Sequence, residues 1–155
     1  MSPVVLDKTD RKILSLLQAD GRMTNAELAQ RINLSPSACL RRVQRLEESA
    51  VIAGYVALVR QEAVGRPTSI FVEVTLKSQS EESLKAFERA VRACPDIMEC
   101  YLMSGDADYL IRVVAADTQD YERIHKQHLT RLPGVARIRS SFALRAISKK
   151  TALDI

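Results

Sequence analysis

From Asp7 to about Ala50 the apolar residues recur at helical spacing, whereas from about Ser69 onward strand-like alternation and helical stripes take turns. The period changes once, which predicts two modules. In the first, Ile13, Leu14 and Leu17 form a stripe ending before Asp20-Gly21, with Asp7 as the cap and Asp10 at the third helical position. Thr24 and Glu27 have capping-box spacing, Met23 can staple onto Leu28, and Asn33, which tolerates left-handed backbone, ends a second helix carrying Leu28 and Ile32. Ser35 caps a third helix with Pro36 in its first turn, so two short helices joined by a tight turn are expected: a helix-turn-helix. At about 100° per residue, Cys39, Val43, Leu46 and Ala50 lie on one side of that helix. Ser37, Ala38, Arg41 and Arg45 lie on the other, with Arg42 at the edge.

Val51 to Val59 reads as a short β segment, the wing of the first module, and Gly65 and Pro67 mark a linker. The predicted division is residues 1–60, a linker at 61–67, and a second module at 68–155. In that module Ile70, Val72, Val74 and Leu76 alternate with Phe71, Glu73 and Thr75, predicting a strand. A helix with Leu84, Phe87 and Val91 follows and stops at Cys94-Pro95. Strands are expected at Ile97–Met103 and Tyr109–Val114 around an acidic hairpin tip, Ser104 to Asp108. Asp117 caps a helix bearing Tyr121, Ile124, His128 and Leu132, which Pro133-Gly134 ends before a last strand from Val135 to about Ile147. The order βαββαβ is that of a ferredoxin-like fold, with both helices on one face of a four-stranded antiparallel sheet. The chain is therefore read as α+β, a winged helix-turn-helix followed by a ferredoxin-like domain. Phe71, Tyr101 and Met103 are expected on the open sheet face, which a second copy would cover.

Charge sharpens the first module's role. The net charge is +4, and residues 1–50 hold eight Lys or Arg against six Asp or Glu, so the excess is spread over the chain. Ser35 to Leu46, however, carries Arg41, Arg42 and Arg45 and no acid, which suits a phosphate-lined partner. Small residues at Ser37 and Ala38 let a helix N-terminus approach base edges, and arginine pairs with guanine or phosphate. With Thr24, Asn25 and Ser35 at the helix starts, these are the candidate contacts to double-stranded DNA.

No run approaches the ~20 apolar residues of a membrane-spanning helix, and no secretory signal is read at the start, so a cytoplasmic protein is expected. Cys39, Cys94 and Cys100 are odd in number and widely spaced, which points to neither a disulfide framework nor a zinc site. His125 and His128 lie one turn apart, but no Cys, Asp or Glu completes a recognisable ligand set and His128 shares a stripe with core residues; with no phosphate loop or nucleophile elbow either, no catalytic residue, metal or cofactor is assigned. The alternatives left are a stand-alone amino-acid sensor, which leaves the basic helix unexplained, and an RNA-binding ferredoxin-like module, whose aromatic consensus Phe71 and Tyr101 do not match.

Leu6-Asp7-Lys8-Thr9-Asp10, Leu34-Ser35-Pro36-Ser37, Arg41-Arg42-Val43 and Ser104-Gly105-Asp106-Ala107-Asp108-Tyr109, in this order, resemble the Lrp/AsnC family (leucine-responsive regulator/asparagine-synthetase regulator) over nearly the whole chain. The resemblance implies a transcription regulator that is not an enzyme. It also implies dimers through the C-terminal domain, often built into tetramers or octamers, with an amino-acid effector between neighbouring domains. It places that effector near Met103, Ser104, Gly105, Asp106 and Asp108, with Ser140, Ser141 and Phe142 completing the pocket. Chemically, Asp106 or Asp108 suits an ammonium and the backbone around Gly105 a carboxylate, although the same residue types also make an ordinary turn.

Overall fold

The protein is described from a computed structural model, which covers residues 5–155. The chain divides into two compact units. The first runs to Leu58 and takes in the C-terminal Ile147–Ile155; the second is Val59–Ala146.

Three helices build the first unit: α1 (Lys8–Ala19), α2 (Asn25–Ile32) and α3 (Pro36–Glu48). Their starts are fixed by local chemistry. The Asp10 N–H donates to Asp7 at 2.8 Å while the Asp7 N–H donates to Asp10 at 3.1 Å, a closed capping box. Thr24 and Glu27 repeat the arrangement on α2, and the Ser35 hydroxyl accepts from the Ala38 N–H with Pro36 at the first position of α3. Between α2 and α3 the backbone reverses at Asn33, with φ 56° and ψ 46°. Ile13, Leu14, Leu28, Ala29, Ile32, Cys39 and Leu46 form one core, against which Met23, Val43 and Ile52 pack. Burial of these faces, rather than propensity, holds such short helices.

Three details depart from the sequence reading. Helix α3 ends at Glu48 and Ala50 is exposed in left-handed backbone (φ 56°), because the chain turns back there and the Val51 and Ile52 N–H groups both donate to the Leu46 carbonyl. The expected β segment at Val51–Val59 is not a strand in the single chain: its neighbours within the unit are helices, and an extended segment without a partner forms no ladder. Val56, Leu58 and Val59 stand in solvent. The C-terminal residues, read from sequence as part of the second module, lie against α1, where the Gln18 side chain donates to the Leu153 carbonyl at 3.0 Å and accepts from its N–H at 2.7 Å.

The second unit has the order β1 (Thr68–Leu76), α4 (Glu81–Arg92), β2 (Ile97–Leu102), β3 (Tyr109–Ala115), α5 (Thr118–Gln127) and β4 (Val135–Phe142). Its four strands form one antiparallel sheet in the order β2-β3-β1-β4, the ferredoxin-like arrangement. Ile70, Val72 and Val74 of β1 and Ile111 and Val113 of β3 alternate inward to meet Phe87 and Val91 of α4 and Tyr121 and Ile124 of α5. Strand β4 stops at Phe142 rather than near Ile147, since its partner begins at Thr68 and the last bond runs from the Ala143 N–H to the Ser69 carbonyl. Helix α5 stops at Gln127, and a 3-10 turn, Leu129–Arg131, carries the chain to Pro133.

Candidate nucleic-acid interface and effector loop

On α3 the inward side is settled by Cys39 and Leu46, both fully buried. The opposite side presents Ser37, Leu40, Arg41, Gln44 and Arg45 to solvent, with Ala38 half-buried beside them. Ser37, Arg41 and Gln44 follow an i, i+4, i+7 spacing, so they form one stripe along the helix. Gln44 and Leu40 were not singled out from the sequence; extending the Ser37 and Arg41 register by one turn would have found Gln44.

The three arginines have different surroundings. Arg42 is turned toward α1, where one guanidinium nitrogen donates to Asp7 at 2.7 Å and to Asp10 at 2.8 Å. Arg45 reaches the other oxygen of Asp10 at 2.5 Å while half its side chain stays exposed. Asp10 itself is fully buried, so the carboxylate that closes the α1 cap also fixes two cations of α3. Arg41 enters no ion pair among the described residues. The Asp10 N–H and then the Arg42 guanidinium hold the Asp7 carboxyl down at about 2. Thr24 and Asn25, also expected at the interface, are engaged internally: Thr24 caps α2, and the Asn25 amide donates to the Pro36 carbonyl at 2.8 Å, tying α2 to the first turn of α3.

In the second unit the expected effector residues separate. Met103, Ser104, Gly105 and Asp106 form an exposed loop between β2 and β3. Asp108 is turned inward instead, accepting at 2.7 Å from both the Leu76 N–H and the Gln79 side chain, so its carboxylate is committed to holding the loop. Ser140, Ser141 and Phe142 pair with Val72, Phe71 and Ile70, whereas the loop emerges beside Val74. That offset is two to four residues along β1, roughly 7–13 Å. Ser140 and Phe142 also face the helices, where they meet Tyr121 through a hydrogen bond and an edge-on ring contact. Within one chain, therefore, the loop does not meet Ser140–Phe142. It meets β4 one turn of pleat earlier: Asp106 and Ala107 line a cleft of about 310 Å³ with Glu73, Thr75, Arg137 and Arg139.

The sheet face away from the helices is mixed. Register places Glu99, Arg112, Phe71 and Ser141 in one row and Tyr101, Leu110, Glu73 and Arg139 in the next. Glu99 pairs with Arg112 and Glu73 with Arg139, so Phe71 and Tyr101 are flanked by cross-strand ion pairs rather than merged into one apolar patch.

Residues 6–52 match a model described as winged helix-turn-helix DNA-binding, and residues 69–153 match the Lrp/AsnC ligand binding domain. The chain belongs to the Lrp/AsnC family. It is 43% identical to the Bkd operon transcriptional regulator of Pseudomonas aeruginosa, over 95% of this chain and 96% of that one. It is 39% identical to the leucine-responsive regulatory protein of Escherichia coli, over 97% and 92%. A transcriptional regulator of Neisseria meningitidis, solved in complex with L-Met, superposes with a TM-score of 0.90 at 36% identity, over 97% of both chains. An AsnC family regulator of Agrobacterium tumefaciens gives 0.90 at 38%, over 96% and 97%. As an Lrp/AsnC regulator the chain is a DNA-binding transcription regulator, its helix-turn-helix being the N-terminal unit. No described helix is long and apolar enough to cross a membrane.

Proposed function

We propose that this Lrp/AsnC regulator reads duplex DNA through the outward stripe of α3, with Ser37, Arg41 and Gln44 toward the base edges and Arg45 at the margin. Asp10 acts behind it as the buried carboxylate that sets the angle of Arg42 and Arg45. The observation that carries the reading is Arg41: it is an exposed cation without an ion-pair partner among the described residues, at the centre of a stripe lacking acids, on a helix whose start is fixed by the Ser35 cap and Pro36. Residues 1–60 are the DNA-binding module, 61–67 the linker, and the sheet domain the sensing and assembly module.

The effector we assign is a free amino acid, bound against the loop Met103–Asp106. Asp106 offers a carboxylate for its ammonium and Arg137 a guanidinium for its carboxylate, across one cleft whose other charges, Glu73 and Arg139, are paired with each other. The separation of Ser140–Phe142 from that loop favours a pocket completed by a second copy, and the exposed Phe71, Tyr101, Val56 and Leu58 favour a homo-oligomer. In this reading the protein works in the cytoplasm and is not an enzyme.

A gel-shift comparison tests the DNA assignment: Arg41→Ala should weaken operator binding at least tenfold with an unchanged melting temperature. Wild-type affinity in that variant would sink it. A thermal-shift screen of the twenty amino acids tests the effector, because a ligand that binds only the folded state raises the melting temperature. The shift given by the best amino acid should vanish in Asp106→Ala and in Arg137→Ala.

A further inference from the structure

In the second unit, the turn that follows α4 brings three ligand-bearing side chains together. Cys94, Pro95, Asp96 and Ile97 form a reverse turn closed by the Ile97 N–H donating to the Cys94 carbonyl at 3.3 Å. Proline at its second position fixes the backbone. Across from the turn stands His128, the residue that ends α5. A thiol sulfur, a carboxylate oxygen and an imidazole nitrogen, one from each of these residues, all lie within 4.8 Å of one another, and Cys94 and Asp96 are buried.

We propose that Cys94, Asp96 and His128 form a site for a divalent cation of the zinc class. The residues are far apart in sequence, 32 positions from Asp96 to His128, and none of the spacings is a recognisable motif. Three observations favour a metal over a simple polar cluster. The first is distance. The His128 Nε2 and Asp96 Oδ2 atoms are 3.7 Å apart, too long for a hydrogen bond. Zinc bonds of 2.0–2.3 Å at tetrahedral angles set ligand atoms about 3.3–3.6 Å apart, so the pair needs only a small contraction. The second is how Asp96 is oriented. Its Oδ1 accepts from Arg66 at 2.8 Å, while Oδ2 faces the His128 ring at 3.7 Å and the Arg123 guanidinium at 3.8 Å, and a carboxylate held by hydrogen bonding on one oxygen can ligate through the other. The third is access: Cys94 and Asp96 are buried while a third of the His128 side chain is exposed, which gives an entry side and a fourth position for water.

The cations nearby do not forbid this. Arg66 and Arg123 both face Asp96, Arg123 at 3.8 Å, but Arg123 is itself neutralised by Asp120 at 2.7 Å. A bound dication with Cys94 as thiolate and Asp96 as carboxylate is formally neutral, and binding releases the thiol proton to solvent. The chemistry selects a borderline-soft ion, since one sulfur, one nitrogen and one oxygen suit zinc or cobalt better than magnesium or calcium. Such an ion would clip the end of α4 to the end of α5.

The test uses the tag-free full chain. Calorimetric titration with zinc chloride should give one ion per chain. Cobalt chloride should give a sulfur-to-cobalt charge-transfer band in the near ultraviolet together with visible bands of tetrahedral intensity. Cys94→Ser should lose the charge-transfer band and bind zinc at least tenfold more weakly. His128→Gln, at a position a third exposed, should weaken binding similarly while circular dichroism stays that of the wild type. His125→Ala and Cys100→Ser should bind as the wild type does. The site is overturned if zinc binds at less than one per chain, if cobalt shows no thiolate band, if His128→Gln keeps full affinity, or if His125→Ala abolishes binding.

Discussion

Arg41 and Arg45 lie one turn apart on α3, but only Arg45 is held from behind, by Asp10, and their mutants should differ accordingly. Replacing Arg41 removes a free cation and should lower the slope of log affinity against log salt by about one, measured by fluorescence anisotropy at several ionic strengths. Asp10→Ala should act on the scaffold: it opens the α1 capping box, frees the Arg45 guanidinium and leaves Arg42 on Asp7 alone, costing about 1–3 kcal/mol of stability in urea unfolding, with weaker DNA binding as a consequence. Asp7 gives a pH signature. Its carboxyl, held at about 2 by the Asp10 N–H and Arg42, sits below its ordinary value of 3.8. The stabilisation is therefore fully present above pH 3.8 and lost as pH falls through about 2. Asp7→Asn should flatten that limb of an acid-unfolding curve, and an unaltered limb would show that the Asp10 N–H and the Arg42 guanidinium together give the charged Asp7 no net stabilisation. The sequence shows Asp7 and Asp10 as cap residues because a cap is local. That they also bind α3, with 35 residues separating Asp10 from Arg45, is a tertiary fact no spacing encodes. Asp108 is similar: its residue type fits a ligand, and only the register of β1 and β3 reveals that it is used up inside.

Among the elements, the best-read boundaries are those written in adjacent residues: the three N-caps, the left-handed Asn33 and the Asp117 cap of α5. The boundaries that sequence misses depend on partners. Strand β4 ends where β1 begins, and Val51–Val59 has strand-forming side chains but no second backbone to pair with in the chain. The end of α3 was missed for a different reason, since Ala50 continues the apolar register yet adopts φ 56°, a conformation alanine disfavours. Ala50→Gly should relieve that strain and raise stability by about 0.5–1 kcal/mol net of glycine's greater freedom in the unfolded chain, read as a higher urea midpoint at constant slope.

For the whole molecule, sedimentation velocity at micromolar concentration should find a homo-oligomer, because the exposed side of the sheet presents Phe71 and Tyr101 between two cross-strand ion pairs. Tyr101→Asp should shift the distribution toward monomer while leaving the far-ultraviolet spectrum intact. A purely monomeric wild type would remove the shared-pocket reading of the effector site as well. The two-module plan was visible in the single change of hydrophobic period. The return of the C-terminal residues to the first unit was not, since Ile147–Ile155 carries neither a strong stripe nor a cap, and its anchor is the side-chain amide of Gln18. That amide makes the helical unit discontinuous in sequence, assembled from residues up to Leu58 together with Ile147–Ile155. Any fragment cut in the linker to study the DNA reader alone will carry an uncovered strip on α1 where Leu153 belongs.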